Sequence, residues 1–553
     1  MKKTFLLFTF CSLLSLLVCC NSQAAQGTFS VQKDNLESWF NSPLRGFLFI
    51  YNDSDSVTGK KLLRAWVRGK GSMTRSFPLY HLQQDSIKVD VKISYKSKDC
   101  KKAFLTLTSL DQKEHVADAD TMYLPLSDDV TTYSKTLAVK SLYALVASVD
   151  AEGEYDDKNG FLEIYDIDLS SCGEPLSKVA VGYHPAPVES QDIVGWDDML
   201  HLLFMDKKYL GLGETSHGTE TYEKLICEVM KERILNHQCK LVLFELPLNR
   251  MLYVNRYVKN DERFNIERIS EYLKNTFTAE STIDFIQWVK AYNASHKNEI
   301  SVLGFDFEEH SSEIAGQISR YIRSLNISNV KAVNDLCDSI VVTDNISSLL
   351  TMFDRTNLES VVGRDEVALI RHCISDLQIY DRLWTRDGRM SKAVEQIFSK
   401  YLTSDATVTF WGHFNHMNYI SIGCVPDFYL CPSLGSALRG KYGEDYSCIA
   451  FSALKGETIG KPFLDWVHYK MEDAPEESIE YQVGKWGKFP AFLSVDKLQE
   501  TSIYKMRFTY QREIKNQFKY LIPGNRVDGI IVVDKTEYSR LQFKDNAVNV
   551  VKP

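Results

Sequence analysis

A strand that ends in a glycine-flanked turn and runs straight into a helix restricts this chain most. Lys207-Lys-Tyr-Leu-Gly-Leu212 is short and apolar enough for a buried strand. Tyr222, Leu225, Ile226, Val229, Met230 and Ile234 then recur at helical spacing, which predicts a helix beginning near Thr219. Between them, Gly211-Leu-Gly-Glu-Thr-Ser-His-Gly218 presents a carboxylate, Glu214, and an imidazole, His217. At the carboxyl end of a strand, beside a helix N-terminus, such a pair sits where α/β folds place ligands. It is suited to acid/base work.

The same alternation continues downstream. Tyr209 to Leu212, Leu241-Val-Leu-Phe244, Ile300-Ser-Val-Leu-Gly304, Ala406-Thr-Val-Thr-Phe-Trp411, Cys448-Ile-Ala-Phe451 and Gly529-Ile-Ile-Val-Val533 read as strands, with helical stretches at 313–325 and 366–384. This predicts an α/β domain over 189–540, with a mainly parallel sheet flanked by helices and a helical insertion between Glu308 and Asp405. Residues 26–176 differ. Phe47-Leu-Phe-Ile-Tyr51, Ile87-Lys-Val-Asp-Val-Lys-Ile93, Ala103-Phe-Leu-Thr-Leu-Thr108, Leu142-Tyr-Ala-Leu-Val-Ala147 and Gly160-Phe-Leu-Glu-Ile-Tyr165 alternate between short polar turns. They indicate an all-β sandwich, jelly-roll-like, with Tyr165 to Ser170 as its last strand. Its aromatics are expected mainly in the core, with a glycan as a candidate partner. A linker at 177–188, carrying Tyr183-His-Pro-Ala-Pro187, joins the two, and 541–553 form a tail.

Met1-Lys-Lys followed by the apolar stretch from Phe5 to Val18 has the form of a secretory signal over 1–25. The expected location is therefore periplasmic or at the cell surface. Cleavage after Ser22, Ala24 or Ala25 and lipidation at Cys19 or Cys20 both fit. The net charge of -9 argues against nucleic acid or an anionic membrane surface as the main partner. Nine further cysteines, Cys100 to Cys448, contain no CxxC pair. That excludes an ordinary zinc ribbon, and buried free thiols are expected, with room for one or two disulfides.

Four strand ends carry acid/base groups: Glu214; Glu245 in Phe244-Glu-Leu-Pro247; Asp306 in Gly304-Phe-Asp306; and His413 with His416 in Trp411-Gly-His-Phe-Asn-His416. In a parallel sheet these ends share one edge, so distant segments deliver their side chains to one cleft. Ser216 is not a nucleophile elbow, because Glu214 stands where that motif needs Gly. The three-residue offsets of Glu214 with His217 and of His413 with His416 leave metal or haem ligation open as an alternative. A non-catalytic surface binding protein is another.

These segments resemble the erythromycin esterase family. Gly213-Glu-Thr-Ser-His-Gly218 is similar to its Gly-Glu-Ala-Thr-His-Gly turn. Phe244-Glu-Leu-Pro-Leu-Asn-Arg-Met-Leu-Tyr-Val-Asn-Arg-Tyr-Val258 is similar to its strand end followed by Val-Asn-x-Tyr-Val, and Arg386-Asp387 with Met390 to its Arg-Asp-x-x-Met helix start. Trp411 to His416, Leu434 to Gly443 and Ala474 to Glu480 complete the likeness, over 188–535. The resemblance implies an ester or lactone hydrolase with no obligatory metal or other cofactor, acting on a small molecule. His217 would be the general base, Glu214 would orient it, His413 would polarise or protonate the departing oxygen, and Glu245 would hold one of these groups in place. Arg386, Lys224 and turn amides are the candidate oxyanion donors, with His416 and Asp306 lining the substrate, and a helix-start ion pair with Asp387 is the competing role for Arg386. Ile226 and Tyr253 stand where the family carries basic residues, so the resemblance supports the reaction more firmly than a macrolide substrate.

Overall fold

The computed structural model describes residues 40–42, 47–54, 61–68, 70–78, 86–111, 116–140, 144–153, 160–176, 187–273, 279–307, 311–342, 345–378, 386–419, 433–460, 467–498, 504–508 and 517–539. The signal segment with Cys19 and Cys20, Cys424, Cys431 and the 541–553 tail lie outside them, as does 177–186 of the linker. The chain divides into two units between residues 181 and 182.

In the first unit, two antiparallel sheets enclose one core. One has the order Phe40–Ser42, Lys70–Pro78, Ala144–Gly153, Cys100–Leu110, Val116–Leu124. The other has the order Phe47–Ser54, Lys61–Arg68, Gly160–Ser171, Ser86–Lys98, Thr131–Lys140. Along Ser86–Lys98 every second side chain turns inward, burying Ile87, Val89, Val91, Ile93 and Tyr95. The two stretches expected at 160–165 and 165–170 are a single strand, Gly160–Ser171, whose register with Ser86–Lys98 shifts between Ile164 and Asp166. The extra residue explains why the alternation looked like two strands. Thr131–Lys140 escaped the sequence pattern because its first six residues are exposed or only half-buried.

The second unit is built on a nine-stranded sheet whose strands we number β1 (Ile193–Gly195), β2 (Tyr209–Glu214), β3 (Cys239–Pro247), β4 (Ser301–Asp306), β5 (Thr407–His413), β6 (Tyr446–Gly460), β7 (Val467–Lys470), β8 (Ala491–Ser494) and β9 (Gly529–Thr536). The order is β1-β8-β9-β6-β2-β5-β3-β4, with β7 beside the outer part of β6. From β9 to β4 all neighbours run parallel; β1, β7 and β8 pair antiparallel. Strands β2 and β4 are buried at every position, as a sheet covered on both faces requires. Each of Leu210, Leu212, Val242, Leu243, Val302 and Leu303 is fully buried, contributing roughly 1.5–3 kcal/mol apiece.

The helix expected near Thr219 spans Glu220–Asn236. Between β4 and β5 the chain forms the helices Ser311–Ser324, Val330–Ile340, Ile346–Asp354, Glu359–Val362, Arg364–Ser375 and Arg386–Tyr401. Strand β5 then enters between β2 and β3. That insertion positions the site, since it brings the end of β5 between two strand ends already carrying carboxylates.

Candidate active site

Register does the first part of the assembly. Glu214, the last residue of β2, is paired with His413, the last residue of β5. On the far side of β5 the pairing of β3 with β4 shifts between Phe244 and Pro247, and Glu245 sits at that irregularity. Glu214, His217, Glu245, Asp306, His413 and His416 are all buried, at 9% exposure or less. The Arg386 side chain is 46% exposed, which puts it at the solvent-facing side of the cluster.

His217 Nδ1 lies 2.6 Å from Glu214 Oε1. With Nδ1–H donated to the carboxylate, Nε2 carries the lone pair. His413 has the opposite polarity: its Nδ1 accepts the backbone N–H of Asn415 at 3.1 Å, so in the neutral ring the proton sits on Nε2. The two rings stand 4.7 Å apart, centroid to centroid. One therefore offers an acceptor and its neighbour a donor, the complement that proton transfer to and from a bound water needs.

Glu245 fastens this arrangement. Its Oε2 accepts the His413 backbone N–H at 2.6 Å, and its Oε1 accepts from Arg386 Nη2 at 2.9 Å. Burial opposes its ionisation, but His416, Arg386, His217 and His413 together overcome that and hold the carboxyl well below the usual range. Gly412 makes room for it: a Cβ there would lie 3.0 Å from Glu245 Oε2 and 3.1 Å from Glu245 Cβ. Glu214 responds in the other direction, raised by burial despite the neighbouring His217. The two carboxylates thus divide the work, one fixed in its charged form and one poised to answer charge on His217.

Arg386 binds Asp306 through Nη2 at 2.6 Å and Nε at 3.2 Å, as well as Glu245. The helix-start pair with Asp387 is not the arrangement found. Asp387 Oδ1 instead binds His416 Nδ1 at 2.9 Å and the Leu434 backbone N–H at 2.9 Å. Burial disfavours a charged His416, but Asp387 and Glu245 outweigh it and raise its pKa. Asp387 therefore belongs to the site, and the Arg-Asp dipeptide was the signal that could have found it.

Among the expected oxyanion donors, Lys224 and the Thr215 amide are placed elsewhere. Lys224 is exposed on Glu220–Asn236, among buried Tyr222, Glu223, Leu225 and Ile226, and among the described residues no contact joins it to the site. Its position turns away from the sheet, which the count along the helix did not reveal. Of the turn amides, Thr215 N–H is spent on Phe451 O. Ser216 Oγ pairs with Thr458 Oγ1 at 2.8 Å, and Thr458 also donates to the His217 carbonyl at 2.5 Å, so both hydroxyls brace the turn. Seven cysteines, Cys100, Cys172, Cys227, Cys239, Cys337, Cys373 and Cys448, are free thiols; all but Cys100 and Cys172 are buried. Among the described residues no three His, Cys, Asp or Glu side chains are arranged to hold a metal ion, and no helix is long and apolar enough to cross a membrane.

The erythromycin esterase family profile matches residues 234–346 and 355–536, over half of the chain. The chain belongs to the erythromycin esterase family. The match takes in Glu245, Asp306, Arg386, His413 and His416 and begins after Glu214 and His217. Membership of the erythromycin esterase family supports a hydrolase-like function for this protein. No curated protein matches the chain. Among solved structures, the second unit is similar to a Bacillus cereus protein (18% identity, 65% of this chain and 96% of that one, TM-score 0.49). It is also similar to a mutant of the erythromycin esterase EreC in an open conformation (15%, 63% and 95%, 0.43). The β-sandwich is similar to a xylan-binding domain of Paenibacillus barcinonensis Xyn10C (12%, 25% and 88%, 0.20).

Proposed function

We propose that this member of the family hydrolyses an ester or lactone of a small molecule with water activated by His217. The observation that carries the reading is the opposed polarity of the two imidazoles. Nε2 of His217 accepts a proton from water while Glu214 receives the Nδ1–H and stabilises the imidazolium. The hydroxide attacks the carbonyl, and the negative charge on its oxygen is met by His413 Nε2–H and Arg386. As the tetrahedral intermediate collapses, the imidazolium returns its proton to the departing alkoxide, so His217 ends as it began. Glu245 positions His413 and Arg386 without touching the reacting atoms.

The experiment is turnover of a panel of aryl esters and macrolides by the protein and by His217→Ala. The expected result is ester cleavage reduced by about 10²–10⁴-fold in the variant. Cleavage at the parent rate in His217→Ala would overturn the assignment.

A further inference from the structure

The turn that carries His217 is held from a direction the proposed mechanism does not use. Residues 215–219 lie between β2 and the helix Glu220–Asn236 and belong to neither, and Gly218 takes a φ of +70° there. The helix begins without a side-chain cap, because Thr219 makes no such bond, so its first amides need acceptors from elsewhere.

Residues 537–539, which continue the chain from β9, supply one and fasten the turn as well. Glu220 N–H donates to the Glu537 carbonyl at 2.9 Å, and Glu537 N–H donates to Thr221 Oγ1 at 3.0 Å. Thr219 and Tyr538 form an antiparallel bridge, and Ser539 N–H donates to the Gly218 carbonyl at 2.9 Å. On the other flank Thr458 of β6 holds the His217 carbonyl. Two consecutive carbonyls, of His217 and of Gly218, are thus fixed by segments far away in the chain. A Cβ at Gly218 would meet Ile459 Cβ at 2.9 Å, so the turn is also closed against β6.

One side-chain contact joins the two arms of this grip. The Tyr538 ring stacks on His468 of β7, with centroids 4.0 Å apart and planes at 29°. His468 is the register partner of Ile459, the residue after Thr458, and its Nε2 lies 3.2 Å from Glu457 Oε2. Glu537 is exposed and Ser539 offers little area, which leaves the Tyr538 ring to seat the strap. We propose that Tyr538 is a positioning residue for the base: stacked on His468, it presses 537–539 against the turn and keeps the His217 ring 4.7 Å from His413. It touches no reacting atom. The proposal rests on the reading of His217 as the base and adds where its placement comes from.

The test measures kcat and KM for aryl-ester cleavage in the parent, Tyr538→Ala, Tyr538→Phe, His468→Ala and the double alanine variant. A misplacement of about 1 Å costs on the order of 10²-fold, so Tyr538→Ala is expected to lower kcat roughly ten- to hundredfold with KM little changed. Tyr538→Phe keeps the ring and should keep the parent kcat. His468→Ala acts through the same contact, so the double variant should lose no more than either single one. Ile300→Val, a core change just before β4 and so at the end of the sheet away from the turn, gives the kcat change that a general loss of stability produces. A second measurement needs no substrate. Carbethoxylation of His217 by diethyl pyrocarbonate, followed by mass spectrometry, is slowed by the burial of that residue and should be faster in Tyr538→Ala but not in Tyr538→Phe. That acceleration in the absence of any ester turnover by the parent would sink the hydrolase reading and leave the strap standing. Unchanged modification in Tyr538→Ala, a kcat loss no larger than that of Ile300→Val at equal loss of Tm, or equal losses in the alanine and phenylalanine variants overturns the proposal.

Discussion

Glu214 and His413 are direct register partners across adjacent parallel strands, although 199 positions separate them in the chain. Through that pairing the turn after one strand meets the end of another, with the His217 and His413 rings 4.7 Å apart. The site is a property of the sheet edge rather than of either motif.

Replacing Glu214 by Gln keeps the shape and removes the charge that answers the His217 imidazolium. The kcat is expected to fall by about 10²-fold. Stability should move the other way. Burial raises the Glu214 pKa, so the ionised form opposes folding increasingly as pH rises above its unfolded value of about 4.3. Glu214→Gln should accordingly match the parent in Tm at low pH and exceed it at alkaline pH; a uniform loss of Tm across the range would contradict this.

Glu245→Gln should cost both activity and stability, because Arg386 and the His413 N–H lose a charged acceptor. About 2 kcal/mol is expected, discounted for the exposure of Arg386. The folded pKa lies below the unfolded one. The contribution is therefore fully present above about pH 4.3 and fades as pH falls toward the folded value. Denaturant titrations of parent and variant from acid to neutral pH should diverge as pH rises, and parallel curves would count against the role given to Glu245.

Gly412→Ala tests the room left for that carboxylate. The added methyl would meet Glu245 Oε2 and Cβ, and also Met417 Cε at 3.4 Å. Overpacking of this kind costs about 1–3 kcal/mol, and the displaced Glu245 would release His413. A variant with a lower Tm and a lower kcat is expected. Full activity would show that the position of Glu245 does not matter.

Much of this was legible from residue order alone. The central strands announced themselves as short apolar runs, and their acid/base termini followed, because a parallel sheet buried on both faces leaves its ends as the natural place for polar side chains. What stayed hidden depended on direction or on distant partners. Lys224 differs from buried Glu223 by one helical step, which the apolar periodicity did not assign to a face. Arg386 found Asp306 and Glu245 instead of its neighbour because Asp387 was already held by His416 and Leu434, a competition between side chains far apart in the chain. Sheet order was equally silent: nothing in the β5 segment says that it enters between β2 and β3.

That entry has a bearing on how the protein comes into being. Until residues 407–413 arrive, β2 and β3 have no common neighbour, and each carries an unpaired apolar edge. Sheet closure must wait for contacts spanning some two hundred residues, the kind of pairing that makes assembly slow and leaves intermediates prone to stick to one another. The step that inserts β5 between β2 and β3 also brings the two halves of the candidate site together, so damage to the strand interior of β5 should be felt as loss of soluble protein before it is felt as loss of rate.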